Sequence, residues 1–213
     1  MLIFSKKYSI IVLSGEKVMI VTTQQLQERY SHLSNKMAKI SRDIKNGNLF
    51  PLVKGIYETD ANVHGSRLAQ FIYGPSYLSF DYVLYTQGLI PEAVYNTFTC
   101  ATFNKRKIKT YINHFGTFIY RDVPKEVFNL GVLVFTDGPY SYQVATAEKA
   151  LCDKLYTLTP VKSIKGLKAL LFDDLRIDEE AFNNLDKEDI LQMAPLYRST
   201  NLNLLVKLIK EEK

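Results

Sequence analysis

The spacing of apolar residues changes character along this chain of 213 residues. Between residues 22 and 46 it is helical. Leu26 and Tyr30 lie four apart, and Leu33, Met37, Ile40 and Ile44 follow at intervals of four, three and four, so each set lines one helical face. Thr22 and Gln25 stand at capping-box spacing before the first set, and His32-Leu33-Ser34-Asn35 supplies a turn between the two. Gly47 closes the second helix as a C′ glycine. Two short β-type runs, LFPLV and GIYE, then meet at Lys54-Gly55. Helix, turn, helix and hairpin in this order outline a winged helix-turn-helix. Residues 4–13 (FSKKYSIIVL) are expected to add a covering helix and residues 18–21 a short strand, with the module ending near Asp60.

From Val63 the aromatic side chains become larger and more frequent. HGSRLAQFIYG reads as a short helix broken at Gly74-Pro75, after which Ser76 is expected to cap a central helix, SYLSFDYVLYTQ, closed by Gly88. Beyond Pro91 the period becomes two. Strands are predicted over 94–103, 108–112, 117–123, 132–136 and 140–145, with turns at 113–116 and at Asp137-Gly138, and such short connections predict a mostly antiparallel sheet. Thr146 then caps the helix AEKALCDKLYTL, whose Ala147, Ala150, Leu151 and Leu155 share a face. Helical segments near 162–171, 179–184, 187–193 and 201–211 follow and cover the sheet. The expected fold class is α+β, with domains at 1–60 and 61–213.

Charge sharpens that division. Residues 1–60 hold nine Lys and Arg against five acids, a net of +4, whereas the remaining 153 hold 18 against 17. Most of the formal +5 therefore sits on the first module, where phosphate neutralisation would use it. Cys100 and Cys152 lie in apolar runs without metal spacing and read as buried thiols of a reducing compartment. Lys6 and Lys7 interrupt the N-terminal apolar stretch, and Tyr8 to Leu13 is too short for a signal core or a membrane span. A cytoplasmic protein without membrane contact is expected.

At ~100° per residue, the face opposite the stripe of the second helix carries Asn35, Lys39, Arg42 and Asn46, flanked by Lys36 and Lys45, with Lys54 at the wing tip. On an isolated helix such a face is commonly solvated surface, but the ordered context points to double-stranded DNA. Asn35, Lys39 and Arg42 would approach base edges while Lys36, Lys45 and Lys54 neutralise phosphates. Lys105, Arg106, Lys107 and Lys109 read as gatekeepers of a sheet edge, with a second phosphate contact as the alternative. No catalytic set emerges. Gly65-Ser66 lacks the paired acids of a nucleotidyltransferase, Asp173-Asp174 lacks an upstream Gly-Ser, and Glu148-Lys149 is not spaced as a nuclease triplet. His32, His64 and His114 sit in or beside turns, so no metal site and no cofactor are expected.

Three stretches, NGNLFPLVKGIYE, GPSYLSFDYVLYTQGLIPE and ATAEKALCDKLY, together resemble the AbiEi family of antitoxins from type IV toxin–antitoxin and abortive-infection systems. The likeness runs in the family's order from about residue 20 to about residue 160. It implies a repressor of its own promoter that binds inverted repeats and counters a nucleotidyltransferase-like toxin without a stable complex. DNA contact carries over to Lys36, Lys39, Arg42, Lys45 and Lys54, and Glu148, Lys149 and Asp153 match the EKAxxD pattern as an antitoxin surface. A capping acid and an i,i+4 pair would look the same. Two other readings stay open: a winged-helix regulator whose second domain binds a ligand or oligomerises, and an adaptor that sequesters a toxin.

Overall fold

The computed structural model describes residues 20–211, which fall into two compact units divided between Ala61 and Asn62. The helix expected over 4–13 and the start of the strand expected over 18–21 lie outside the described residues.

The first unit runs β1 (Ile20–Thr22), α1 (Thr23–Arg29), α2 (Lys36–Lys45), β2 (Phe50–Val53) and β3 (Ile56–Glu58). Its sheet is antiparallel in the order β1-β3-β2. The capping box of α1 is complete: Thr22 Oγ1 accepts from Gln25 N, and Gln25 Oε1 accepts from Thr22 N at 2.8 Å. Such a cap is worth about 1 kcal/mol. Gly55, at φ +88°, makes the hairpin turn, and its carbonyl accepts from Thr23 N at 2.9 Å, tying the hairpin to the start of α1. Val21, Leu26, Ile40, Leu49 and Tyr57 form the core, with Tyr30 and Ile44 packed against it.

One residue of the expected stripe is displaced. Met37 is 49% exposed, because Asp43 rather than Met37 turns inward beside Ile40. An acid occupies an interior helical position, and the helix is rotated to accommodate it.

The second unit comprises α3 (Ala69–Ile72), β4 (Tyr77–Leu78), α4 (Phe80–Thr86), β5 (Thr97–Thr102), β6 (Lys109–Asn113), β7 (Gly116–Asp122), β8 (Val132–Asp137), β9 (Tyr140–Ala145) and α5 (Ala147–Thr157). α6 (Ile164–Lys168) continues as a π-helical segment over Ala169–Asp174, and α7 (Glu179–Asn183), α8 (Lys187–Met193) and α9 (Thr200–Glu211) complete it. The sheet is mixed, in the order β6-β7-β5-β4-β9-β8. The β6–β7 and β8–β9 hairpins are antiparallel, as their short turns require. β7 inserts between β6 and β5, so two chain reversals restore the direction and β7 runs parallel to β5. β4 and β9 are parallel as well. Three of the five pairings are antiparallel, in line with the expected mostly antiparallel sheet, and the parallel β5–β7 pairing arises because β5 and β6, neighbours in sequence, are not neighbours in space.

The central helix also starts later than the capping pattern suggests. Tyr77 and Leu78 are a buried strand, Ser76 is buried, and Ser79 occupies the N-cap position of α4 without using its side chain there. The buried aromatics Tyr77, Phe98, Phe118, Tyr120 and Tyr140 fill the interior. Asn201, at the start of α9, donates from Nδ2 to the carbonyls of Leu155, Leu158 and Thr159, and its Oδ1 accepts from Val161 N at 2.9 Å. One amide thus ties carbonyls at and just past the end of α5 to the start of α9. Among the described residues no helix is long and apolar enough to cross a membrane.

Candidate nucleic-acid interface and a buried polar cluster

The basic side chains of α2 are not equivalent. Asn35 is the N-cap of the helix, its Oδ1 accepting from Ala38 N at 3.0 Å, so its amide oxygen serves the helix rather than a base edge. Lys39 points along the flank to Asp43, with Nζ 2.5 Å from Oδ1 and 5.4 Å from the centre of the Tyr30 ring. Tyr30 OH donates to Asp43 Oδ2 at 2.8 Å. Burial works to raise the Asp43 carboxyl, but hydrogen bonds from Lys39, Tyr30 and Asn48, with the charge of Lys39, outweigh it and hold the group below the ordinary carboxylate range.

Arg42, Lys45 and Lys54 are exposed and Lys36 is half-buried, and none of these four has an ion-pair partner among the described residues. Arg42 and Lys45 share the outward side of α2 with Met37 and Ser41. Lys54 stands at the turn of the β2–β3 hairpin. Of the six residues expected to contact DNA, four keep free cationic ends, and Asn35 and Lys39 are engaged within the unit. No signal along the sequence separated Lys39 from Arg42. Both lie outward on an ideal wheel, and only the inward turn of Asp43 distinguishes them.

In the second unit Lys149 and Asp153 are both 0% exposed, so the antitoxin surface expected around them is not a surface. Lys149 Nζ lies 2.9 Å from Asp153 Oδ1 and 2.6 Å from Tyr197 OH. Tyr197 OH donates to Asp153 Oδ1 at 2.6 Å, and the other carboxylate oxygen accepts from Tyr77 OH at 2.9 Å and Ser79 Oγ at 2.7 Å. The ammonium also lies 4.8 Å from the Tyr197 ring centre and 5.5 Å from that of Tyr77. Desolvation lowers the Lys149 pKa against the pull of Asp153, and burial, reinforced by Asp153, raises both tyrosine hydroxyls well above their ordinary value.

Glu148, the third residue of that set, is half-buried, and its Oε1 accepts from Asp186 N at 3.0 Å, anchoring the start of α8. The sequence reading missed Tyr77, Ser79 and Tyr197. Its available signal was that α5 is apolar on more than one face, through Ala150, Leu151, Cys152 and Leu155, which is how a fully enclosed helix reads.

Cys100 and Cys152 are buried free thiols, and burial pushes both upward in pKa. His64 Nδ1 lies 2.8 Å from Oγ of the buried Ser66, at the start of a 3-10 turn over Gly65–Arg67. Among the described residues no group of three or more His, Cys, Asp or Glu is placed to hold a metal ion. The chemistry offered at the surface of the first unit is cationic hydrogen-bond donation. No family model matches the chain, and no curated protein matches it.

Proposed function

We propose that this protein is a sequence-specific, duplex-DNA-binding repressor of its own promoter and the antitoxin of an AbiE-like type IV system that counters a nucleotidyltransferase-like toxin. In this reading the first unit is a winged helix-turn-helix with α2 as the recognition helix and the β2–β3 hairpin as the wing. The observation that carries it is the set of cations without ion-pair partners among the described residues, Lys36, Arg42, Lys45 and Lys54, presented by a helix and the hairpin that follows it. Arg42 is the residue placed to read guanine, and Lys36, Lys45 and Lys54 are placed to neutralise phosphates on inverted repeats.

The antitoxin half rests on the ordered resemblance of the three stretches quoted above, and it belongs to the second unit, which carries little net charge. Two functions on one chain are separable by substitution. In the full chain, combined alanine replacement of Lys36, Arg42, Lys45 and Lys54 should abolish binding to the upstream promoter fragment in a mobility-shift titration. The same variant should still restore growth to cells expressing the neighbouring toxin. Promoter binding at parental affinity would remove α2 and the hairpin from the interface. Absence of a nucleotidyltransferase reading frame beside the gene would remove the toxin partner.

A further inference from the structure

The two edges of the six-stranded sheet are built differently. At one edge, β6 is preceded by Lys105, Arg106 and Lys107 and opens with Lys109, charges that oppose pairing with another strand. At the other edge, β8 reads VLVFTD, with no lysine, arginine or proline. Leu133, Val134 and Phe135 on it are 51%, 63% and 44% exposed, so both faces of the strand are bare.

The backbone direction along β8 follows from two hydrogen bonds. Thr146 N donates to Gly131 O at 2.8 Å, one level before the first β8–β9 pair, Val132 with Ala145. The Ser141 carbonyl, opposite Thr136, is taken by Gln70 Nε2 instead of by β8. An antiparallel ladder alternates bonded and non-bonded levels. Leu133, Phe135 and Asp137 therefore bond to β9, and the N–H and C=O groups of Val132, Val134 and Thr136 point outward at the open edge.

We propose that this edge pairs with the β8 of a second copy of this chain, forming a two-fold dimer with antiparallel strands centred on Val134. The strand is complementary to itself in that register. Val134 faces its own mate and Val132 faces Thr136, so the three levels with outward groups coincide and each bonds. Leu133 meets the mate's Phe135 on one face, where Phe135 already stacks on Tyr142 with ring centres 5.9 Å apart. Asp137, paired with Arg67 in its own chain, faces the mate's Gly131 in that register, so no like charges oppose across the edge. From Val132 to Thr136 the strand carries no charge to complement a charged partner. The inference is independent of the DNA-binding reading.

Sedimentation velocity of the full chain over a concentration series tests it. The parent should approach twice the 24.5 kDa mass of one chain as concentration rises. Val134→Pro removes an outward N–H and leaves the β8–β9 ladder its own bonds, and Val134→Lys places a charge on the two-fold axis. Both should sediment as single chains with the parent's circular dichroism. If the proline variant misfolds, the lysine variant decides. A parent that stays a single chain at every concentration overturns the proposal, as does a folded Val134→Lys variant that dimerises like the parent. A single-chain parent that instead takes up an added extended peptide along β8 overturns it too.

Discussion

The two units use the same short pattern in opposite ways. In α2, Lys39 precedes Asp43 by one helical turn, and in α5 Lys149 precedes Asp153 by the same interval. Each aspartate also takes tyrosine hydroxyls, Tyr30 in the first unit and Tyr77 with Tyr197 in the second. The lysine side chain of the first pair is 36% exposed, whereas both members of the second are wholly enclosed. An ammonium that keeps water on one side can leave its partner at little cost, and a surface ion pair contributes only ~0–1 kcal/mol. An enclosed ammonium has no such alternative. Its pair adds little beyond its own desolvation, yet breaking it is severe. The spacing reports a neighbour relation, and burial decides whether that relation is dispensable.

The contrast breaks most visibly at Asp153. Replacing it with alanine leaves Lys149 charged and unmatched in the interior and should destabilise the second unit by about 3–5 kcal/mol in urea unfolding. The double variant Lys149→Met/Asp153→Leu should recover most of that loss, because similar volume is restored without charge. A double variant as unstable as the single would show that Tyr77, Ser79 and Tyr197 need the carboxylate more than Lys149 does. At Asp43, alanine strands the Tyr30 hydroxyl and frees a lysine that can reach water, so the same measurement should find about 1–3 kcal/mol.

The pH dependence sharpens the comparison from the side of Asp43. Its carboxyl is held below the ordinary value in the folded protein. The stability it contributes is therefore present above about pH 4, where the unfolded chain's carboxyl is ionised, and is lost as pH falls through the depressed folded value. Thermal melts at pH 6 and pH 3 should show a smaller acid loss in Asp43→Asn than in the parent. An equal loss would place the acid sensitivity elsewhere.

The smallest expected effect separates neighbours on α2. Lys39→Ala should reduce promoter affinity less than Arg42→Ala, because Lys39 is committed to Asp43 while Arg42 is free. Arg42→Ala should also relax base preference by about 1–3 kcal/mol. A larger effect at Lys39 would mean that it leaves Asp43 for a phosphate on binding.

Local signals were legible because their physics is local. The Thr22–Gln25 box, the Asn35 turn, the Lys54-Gly55 hairpin and the Thr146 cap depend on residues within a few positions, and each stands where its spacing places it. The inward turn of Asp43 is not legible in the sequence, because an acid beside an apolar stripe normally argues for an outward turn. Its reversal depends on Tyr30 and Asn48, which no periodicity connects to it. The same holds for Ser76 and Ser79, either of which could cap a helix. Ser79 takes the N-cap position of α4, yet its hydroxyl goes to Asp153, 74 positions away, instead of capping the helix. Long-range polar contacts carry no period, and here they engage the side chains that local spacing assigns to caps and surfaces.

The partners gathered around α5 also set an order in time. Lys149 reaches Tyr197 across 48 positions, and the end of α5 is closed by Asn201, so a chain growing from its N-terminus completes α5 well before its last partners exist. During synthesis the first unit has its whole core in hand once Tyr57 has emerged. The second cannot complete the hydrogen bonds of its buried Lys149–Asp153 pair, or tie off the end of α5, until Tyr197 and Asn201 clear the ribosome. Vectorial synthesis therefore gives the two units different waiting times, and the longer wait belongs to the unit sealed from its C-terminal end.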